Sequence, residues 1–552
     1  MPAASPKMSC AGRSVRAAAG PLGAFWRIGH TLTLRGGRLD SHARHTATPG
    51  GFGARPLQQC SGRGRTYASA AASTAGAPAF GAAATGRPPR VCILGGGFGG
   101  LYTAVKLGQL TWPDGMRPEV TLVDKSERFV FKPMLYELIN DGAEEWEVAP
   151  TFQALLAPTD VRLVTASVGG VEAGADGVGG KVKLSDGSEV PYDWLVVALG
   201  ARADPRGVPG ALDHAIPFNS LEDAKAIKEA LTQLERSGRS GRVCVVGGGY
   251  AGVELAACIA ERMGAAGKVS LVTPSAGIMT DAPRGQAKAA SEYLTRVGVD
   301  VVANTRVARI SKRDTPESPR GAVVKYEGGG RGAQSEEYDL VCWTAGQAPS
   351  TRSGDGVAAP GVPFPRTEWG AMETDESLRV VNQRRVFALG DVSAKVPGGS
   401  GRSEQFPQTA QVAYQQADYV AWNIWASITG RPLLPFKYQH LGNMMSLGRD
   451  TAAVALPFEL PSAARDAVAT SPLAPLLRVA GVRVDDEVTI EGPLGAIARR
   501  AAYWLRQPTD EHRLKVGASW LRAGVRDAAQ RGPAASGACR EGRGRGPGSA
   551  SS

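Results

Sequence analysis

The sequence predicts an α/β chain in which one strand, glycine-turn and helix unit occurs twice, the second copy nested within the first, followed by a smaller C-terminal region. Three observations predict it. The segment Arg90-Val-Cys-Ile-Leu-Gly-Gly-Gly-Phe-Gly-Gly returns from Arg242 as Arg-Val-Cys-Val-Val-Gly-Gly-Gly-Tyr-Ala-Gly. Downstream landmarks repeat in the same order: Val120-Thr-Leu-Val-Asp124 is echoed by Val269-Ser-Leu-Val-Thr273, and Tyr192-Asp-Trp-Leu-Val by Tyr338-Asp-Leu-Val-Cys. After the second copy the chain returns to an apolar strand ending in Gly390-Asp391.

Residues 1–88 come first and are set apart. Up to Arg90 the chain holds twelve basic residues against Asp40 alone, so the whole net charge of +11 sits there and the remainder balances. A basic leader rich in Ala, Gly, Ser and Arg has the composition of an organelle transit peptide; a disordered tail that stays attached would share it. With the excess charge confined to this leader, a nucleic-acid-binding core loses its support. The 43% apolar and 21% charged content is that of a globular chain. No apolar run is long enough to span a bilayer. Seven cysteines form no CxxC pair and six histidines show no ligand spacing, so neither a dithiol centre nor metal catalysis is expected.

Residues 89–213 read as the first part of a Rossmann-like dinucleotide-binding domain. Gly95, Gly97 and Gly100 follow a buried strand and open a helix from about Leu101 to Leu110, with Asp124 ending the next strand. The first glycine permits the turn, the second lets backbone approach a pyrophosphate, and the third lets helix and strand pack closely. The helix N-terminus offers unpaired N–H groups to the phosphates, and Asp124 is placed to accept from a ribose diol. An Asp186-Gly187 turn marks a hairpin covering this domain.

Residues 214–350 form the second copy, entered by a helix that Ser220 and Asp223 cap. Gly247, Gly249 and Gly252 precede a helix from Val253 to Met263. Thr273 stands where the first copy has Asp124. Without a carboxylate to repel a 2′-phosphate, NADPH is admitted as well as NADH, although a threonine that only ends its strand leaves the pocket indifferent. Residues 351–430 return to the first domain. Two nested dinucleotide units with a later strand-Gly-Asp imply FAD in the first and NAD(P)H in the second, Asp391 accepting from the ribityl chain and Gly390 admitting the backbone beside the diphosphate. Residues 351–366 and 457–480 read as loops or insertions.

A helix is expected to start near Gln408 after Pro407, placing Gln408, Gln411 and Gln415 on one polar stripe. Its N-terminus suits a negative charge on reduced flavin, while an exposed glutamine face has the same spacing. Within residues 431–530, Leu494, Ile497, Ala501, Trp504 and Leu505 form an apolar stripe flanked by Arg499, Arg500 and Arg506, with Tyr503 beside it; Leu514, Trp520, Leu521 and Val525 suggest a second. Basic amphipathic helices of this kind fit a membrane surface; packing on the protein's own core or on a dimer partner is the alternative that gives the same pattern. Residues 531–552 read as a disordered tail.

The phrases Gly95 to Gly100, Phe129-Val-Phe-Lys-Pro-Met-Leu-Tyr-Glu-Leu138, Gly247 to Ala256, Trp343-Thr-Ala-Gly346 and Ala410-Gln-Val-Ala-Tyr-Gln-Gln416 resemble the type II NAD(P)H:quinone oxidoreductases, with the C-type branch of plants and algae, the demethylphylloquinone reductases, nearest at Lys132 to Glu137 and Gln507 to Arg513. The resemblance implies a non-pumping transfer of two electrons from NAD(P)H through FAD to a membrane quinone of the demethylphylloquinone, plastoquinone or ubiquinone class. It implies Glu254 at the nicotinamide–flavin contact, where a glutamate also simply complements a helix N-terminus, and Gln411 and Gln415 at the quinone. Lys132, Pro133, Gln408 and Gly346 join the cofactor-binding set. It further implies a monotopic membrane protein of the chloroplast (thylakoid or plastoglobule surface) or the mitochondrial inner membrane, and is compatible with a homodimer. A soluble reductase of a protein or ascorbate-radical acceptor, and a flavin-bound redox sensor, are the competing classes.

Overall fold

The structure is a computed structural model that describes residues 87–530 except 175–177, 314–319, 329–333, 355–359, 397–402, 460, 473 and 486. Nearly all of the expected leader and the whole C-terminal tail therefore lie outside the described residues.

Two five-stranded, all-parallel sheets organise the body. The first runs Val386–Ala388, Trp194–Val197, Arg90–Leu94, Glu119–Asp124, Arg162–Thr165. The second runs Ile216–Pro217, Leu340–Trp343, Gly241–Val246, Gly267–Val272, Asp300–Val302. The orders correspond strand for strand. Their short apolar runs suit strands buried on both faces, where no polar alternation is required. The repeated aspartates explain one landmark: Asp193 accepts the Arg90 N–H and Asp339 the Arg242 N–H, each at 2.9 Å, so each fixes the start of its central strand.

The described helices that shape the site are α1 (Phe98–Gln109), α2 (Leu221–Arg236), α3 (Tyr250–Met263), α4 (Arg284–Arg296), α5 (Ala410–Ile428), α6 (Gly492–Leu505) and α7 (Asp510–Gln530). Ser220 and Asp223 close both halves of the capping box on α2. Helices α1 and α3 begin three residues earlier than the apolar pattern suggested, because each glycine turn leads straight into helix with Gly97 or Gly249 at the N-cap. Each parallel sheet carries a three-stranded antiparallel sheet: Val168–Ala173, Gly180–Leu184, Glu189–Tyr192 on the first, and Arg306–Lys312, Ala322–Glu327, Ser335–Tyr338 on the second.

The C-terminal region is a four-stranded antiparallel sheet, Asn443–Ser446, Ala452–Glu459, Glu487–Glu491, Val482–Val484, carrying α6 and α7 after it. The stretch 457–480, expected as a loop or an insertion, is not a loop: it ends one strand and carries helices Ser462–Thr470 and Ala474–Val479. Pro461 is the N-cap of the first helix, whose alanines are strong helix formers, and Pro475 lies in the first turn of the second, where no intrahelical N–H is needed.

Candidate active site

Both glycine turns are built to admit a ligand. Gly95 has φ +96°, and a Cβ on Gly100 would lie 1.7 Å from the Gly95 carbonyl oxygen, so helix and strand could not approach as they do with any other residue. Gly252 stands likewise, 1.8 Å from the Gly247 oxygen. The middle glycines differ: a Cβ on Gly97 or Gly249 would meet nothing within 4 Å. Neither helix has a side-chain N-cap hydrogen bond. Backbone N–H groups beside open space, at the positive end of a helix, are what a pyrophosphate requires.

The ends of the second strands differ in chemistry. Asp124 Oδ2 accepts the Gly96 N–H at 2.6 Å and Oδ1 the Ser126 N–H at 2.7 Å, so the carboxylate ties the turn to the strand end. Each oxygen keeps a lone pair for a ribose hydroxyl. Thr273 is buried beneath the second turn, and its Oγ1 would lie 2.7 Å from a Cβ on Gly248. Gly346 lies under Arg206, whose Nε would be 2.4 Å from a Cβ there.

Lys132 and Pro133 open a 3₁₀ turn, Lys132–Leu138. Although Lys132 is solvent-accessible, surrounding protein pushes its ammonium pKa down, opposed by Asp391 and Asp223; its Nζ donates to Asn219 at 2.7 Å. Asp391 is pushed up by burial and pulled back by Lys132. Gly390, at φ +73°, donates its N–H to Gln416 Oε1 at 2.6 Å. Gln416 is fully buried, a functional position whose mark in the sequence is its place at the end of the Ala410 to Gln416 phrase.

Glu254, in the second turn of α3, is the most perturbed carboxylate in this neighbourhood. It is 8% exposed, and burial pushes its pKa up to about 7 against the opposing pull of its hydrogen bonds and of Arg499. Its Oε1 accepts from Tyr136 Oη and from the Ser446 N–H, both at 2.7 Å. Three regions thus converge on one oxygen: helix α3, the 3₁₀ turn Lys132–Leu138 and the C-terminal sheet. Tyr136 could have been noticed within its phrase. Ser446 contributes only backbone, which leaves no mark in sequence.

The glutamine stripe needs correction. Thr409 caps α5 by accepting the Val412 N–H at 3.3 Å, so Gln408 precedes the helix and is exposed. Gln411 and Gln415 lie on the helix but bind a loop. Gln411 Oε1 accepts from Tyr438 Oη at 2.7 Å and the Leu441 N–H at 3.1 Å; Gln415 exchanges two hydrogen bonds with the backbone of Gln439.

Two expectations for α6 also fail. Arg499 and Tyr503, read as its polar rim and interfacial aromatic, are buried; Arg499 Nη2 donates to Glu137 Oε1 at 2.6 Å. A charge that finds a partner across the fold looks like a solvent-facing charge in a periodicity pattern. The aliphatic part of the stripes does face outward: Ile497 is 65% and Leu505 55% exposed, and on α7 Leu514, Leu521 and Val525 are 68–73% exposed, whereas Trp504 donates Nε1 to the Arg513 carbonyl at 2.8 Å and Trp520 packs against the core. No described helix is long and apolar enough to cross a membrane.

Residues 89–417 match the model of the pyridine nucleotide-disulphide oxidoreductases. The chain belongs to this family. The four described cysteines, Cys92, Cys244, Cys258 and Cys342, are buried and form no disulfide, and burial alone pushes the Cys92 thiol up to about 12, which is not the environment of an active dithiol. The chain is 43% identical over 448 residues to the alternative NAD(P)H-ubiquinone oxidoreductase C1, chloroplastic/mitochondrial, of Arabidopsis thaliana, covering 78% of this chain and 80% of that protein. It is 36% identical over 446 residues to the demethylphylloquinone reductase of Synechocystis sp., covering 78% and 96%. Among solved structures it shares the fold of NDH2 from Plasmodium falciparum in complex with NADH, with TM-score 0.60 and 16% identity over 79% of this chain and 98% of that one.

Proposed function

We propose that this protein is an FAD-dependent NAD(P)H:quinone oxidoreductase acting on a membrane quinone, demethylphylloquinone, plastoquinone or ubiquinone in class. The observation that carries the reading is the convergence on Glu254 of the nucleotide-binding helix, the flavin-side turn and the C-terminal sheet. The names of the Arabidopsis and Synechocystis relatives support the same activity.

In this reading residues 89–213 and 351–430 hold FAD, residues 214–350 hold NADPH or NADH, and residues 431–530 meet the membrane. FAD, when bound, accepts a hydride from the nicotinamide and passes two electrons to the quinone. The protein's own groups position and exclude. Gly95, Gly97 and Gly100 present backbone to the diphosphate, Asp124 meets the ribose, and Lys132, Pro133, Gly390 and Asp391 line the flavin side. Gly247, Gly249, Gly252, Thr273 and Gly346 shape the nicotinamide-nucleotide side. Glu254, poised near neutrality, would hold or release a proton at Oε2, because both lone pairs of Oε1 accept from Tyr136 Oη and the Ser446 N–H. Gln411 and Gln415 act on the quinone through the 438–442 loop they clasp.

The exposed stripes of α6 and α7 supply the membrane contact, in a chloroplast (thylakoid or plastoglobule) or at the mitochondrial inner membrane. Anaerobic bleaching of the flavin by NADPH or NADH, followed by reoxidation with and without quinone, tests the activity; reoxidation indifferent to quinone would overturn it. Ile497→Ser with Leu505→Ser and Leu521→Ser should abolish co-flotation with anionic vesicles, each buried large side chain contributing about 1.5 to 3 kcal/mol at most. Unchanged flotation would refute the lipid contact. A second copy of the chain would cover the same stripe, and sedimentation of wild type and triple variant without lipid distinguishes that case.

A further inference from the structure

Arg499 and Glu137 are a fully desolvated ion pair 362 residues apart in sequence, at 1% and 4% exposure. Arg499 has the largest fully buried side chain among the described residues. Its Nε and Nη1, and Glu137 Oε2, have no hydrogen-bond partner, so the charges are joined by a single bond and their fields extend beyond it. Glu137 adjoins Tyr136, whose hydroxyl donates to Glu254 Oε1. The Arg499 guanidinium lies 5.1 Å from the centroid of the Tyr503 ring, which meets Phe131 edge-on at 5.5 Å. A buried pair joined by one bond is a poor device for stability alone, since apolar residues of the same volume often serve as well.

We propose that Arg499 and Glu137 are positioning residues of the nicotinamide–flavin site, through which the C-terminal helix α6 helps to control the proton on Glu254. This rests on the reading of Glu254 given above. The groups facing Glu254 are Tyr136 and Glu137 from the 3₁₀ turn, Arg499 and Tyr503 from α6, the Ser446 N–H from the C-terminal sheet, and Tyr250 and Cys258 from α3 itself. Arg499 is the cation of this set. It favours the carboxylate of Glu254 while Glu137 disfavours it. The same helix turns Ile497 and Leu505 outward, so one element joins the exposed apolar face to the buried charge.

The opposed signs supply the test. In the full-length FAD-loaded enzyme, the infrared band of protonated Glu254, assigned by its loss in Glu254→Gln, is titrated between about pH 5 and pH 9. In Glu137→Gln the midpoint should fall, and in Arg499→Met it should rise, by about one pH unit each. Arg499→Lys, which keeps the charge, should stay near wild type. If Arg499→Met does not fold, Glu137→Gln decides, because the amide oxygen still accepts from Arg499. An unmoved midpoint with lowered thermal stability would mean that the pair only holds the fold, and would overturn the proposal. The pH profile of flavin reduction by NADPH should follow the infrared midpoint. If the midpoint moves and that profile does not, the control of the Glu254 proton stands and the catalytic reading of Glu254 falls.

Discussion

Replacing Glu254 by Gln separates the two things this residue does in the fold. The amide oxygen still accepts from Tyr136 Oη and from the Ser446 N–H, both now at 2.7 Å on Oε1, so the packing of three regions is retained while the titration is removed. Burial raises the folded-state pKa from 4.5 to about 7. The folded protein therefore keeps a proton that the unfolded chain has lost throughout that window. Stability associated with the neutral form is present below about pH 4.5 and declines as pH rises through about 7. Two and a half units correspond to about 3 kcal/mol, with a slope of up to about 1.4 kcal/mol per pH unit. The assay is urea unfolding of both proteins at saturating FAD across that range. Glu254→Gln should gain on wild type as pH increases, by about 3 kcal/mol when fully developed. Parallel stability curves would refute the burial of a titrating carboxyl at this position.

Gly97→Val should fold with near-normal thermal stability yet lose its yellow colour, because a side chain there meets only the space a pyrophosphate needs; Gly100→Val should fail to fold, and a fully flavin-loaded Gly97→Val protein would sink the assignment. Gln411→Leu and Gln415→Leu should each unclasp the 438–442 loop at roughly 0.5 to 1.5 kcal/mol per hydrogen bond, lowering quinone efficiency about two- to tenfold. Flavin reduction by NADPH should be unaffected in both, and unchanged quinone turnover would free these residues from the site. Thr273→Asp recreates at Gly248 the arrangement that Asp124 makes with Gly96, and should weaken NADPH at least tenfold more than NADH; equal losses in kcat/KM would show that this strand end does not meet the ribose.

The parts legible in sequence are those whose physics acts over a few residues. Apolar runs, a Gly that must accept φ +96°, a Gly that must lie against a carbonyl and a Ser–Asp capping box each require particular residues at fixed spacing. Repetition of the whole set makes the twin sheets readable in the sequence. Helix α5 starts at Ala410 rather than near Gln408 for a local reason: Thr409 is the better cap, and Pro407 only precedes it.

What tertiary structure alone decided lies where partners are distant or carry no side-chain signature. By sequence, Arg499 belongs to a basic rim on an amphipathic helix, and only the approach of Glu137 reverses its environment from water to core. Glu254 could equally have answered a helix dipole at the surface. It became a buried acid titrating near 7 because Tyr136 from one domain and a backbone N–H from the C-terminal sheet close over it. Local patterns follow from steric and conformational preferences that every copy of a residue shares, whereas the charge state of a group depends on how much water the rest of the chain removes from it, and that is set only when distant segments meet.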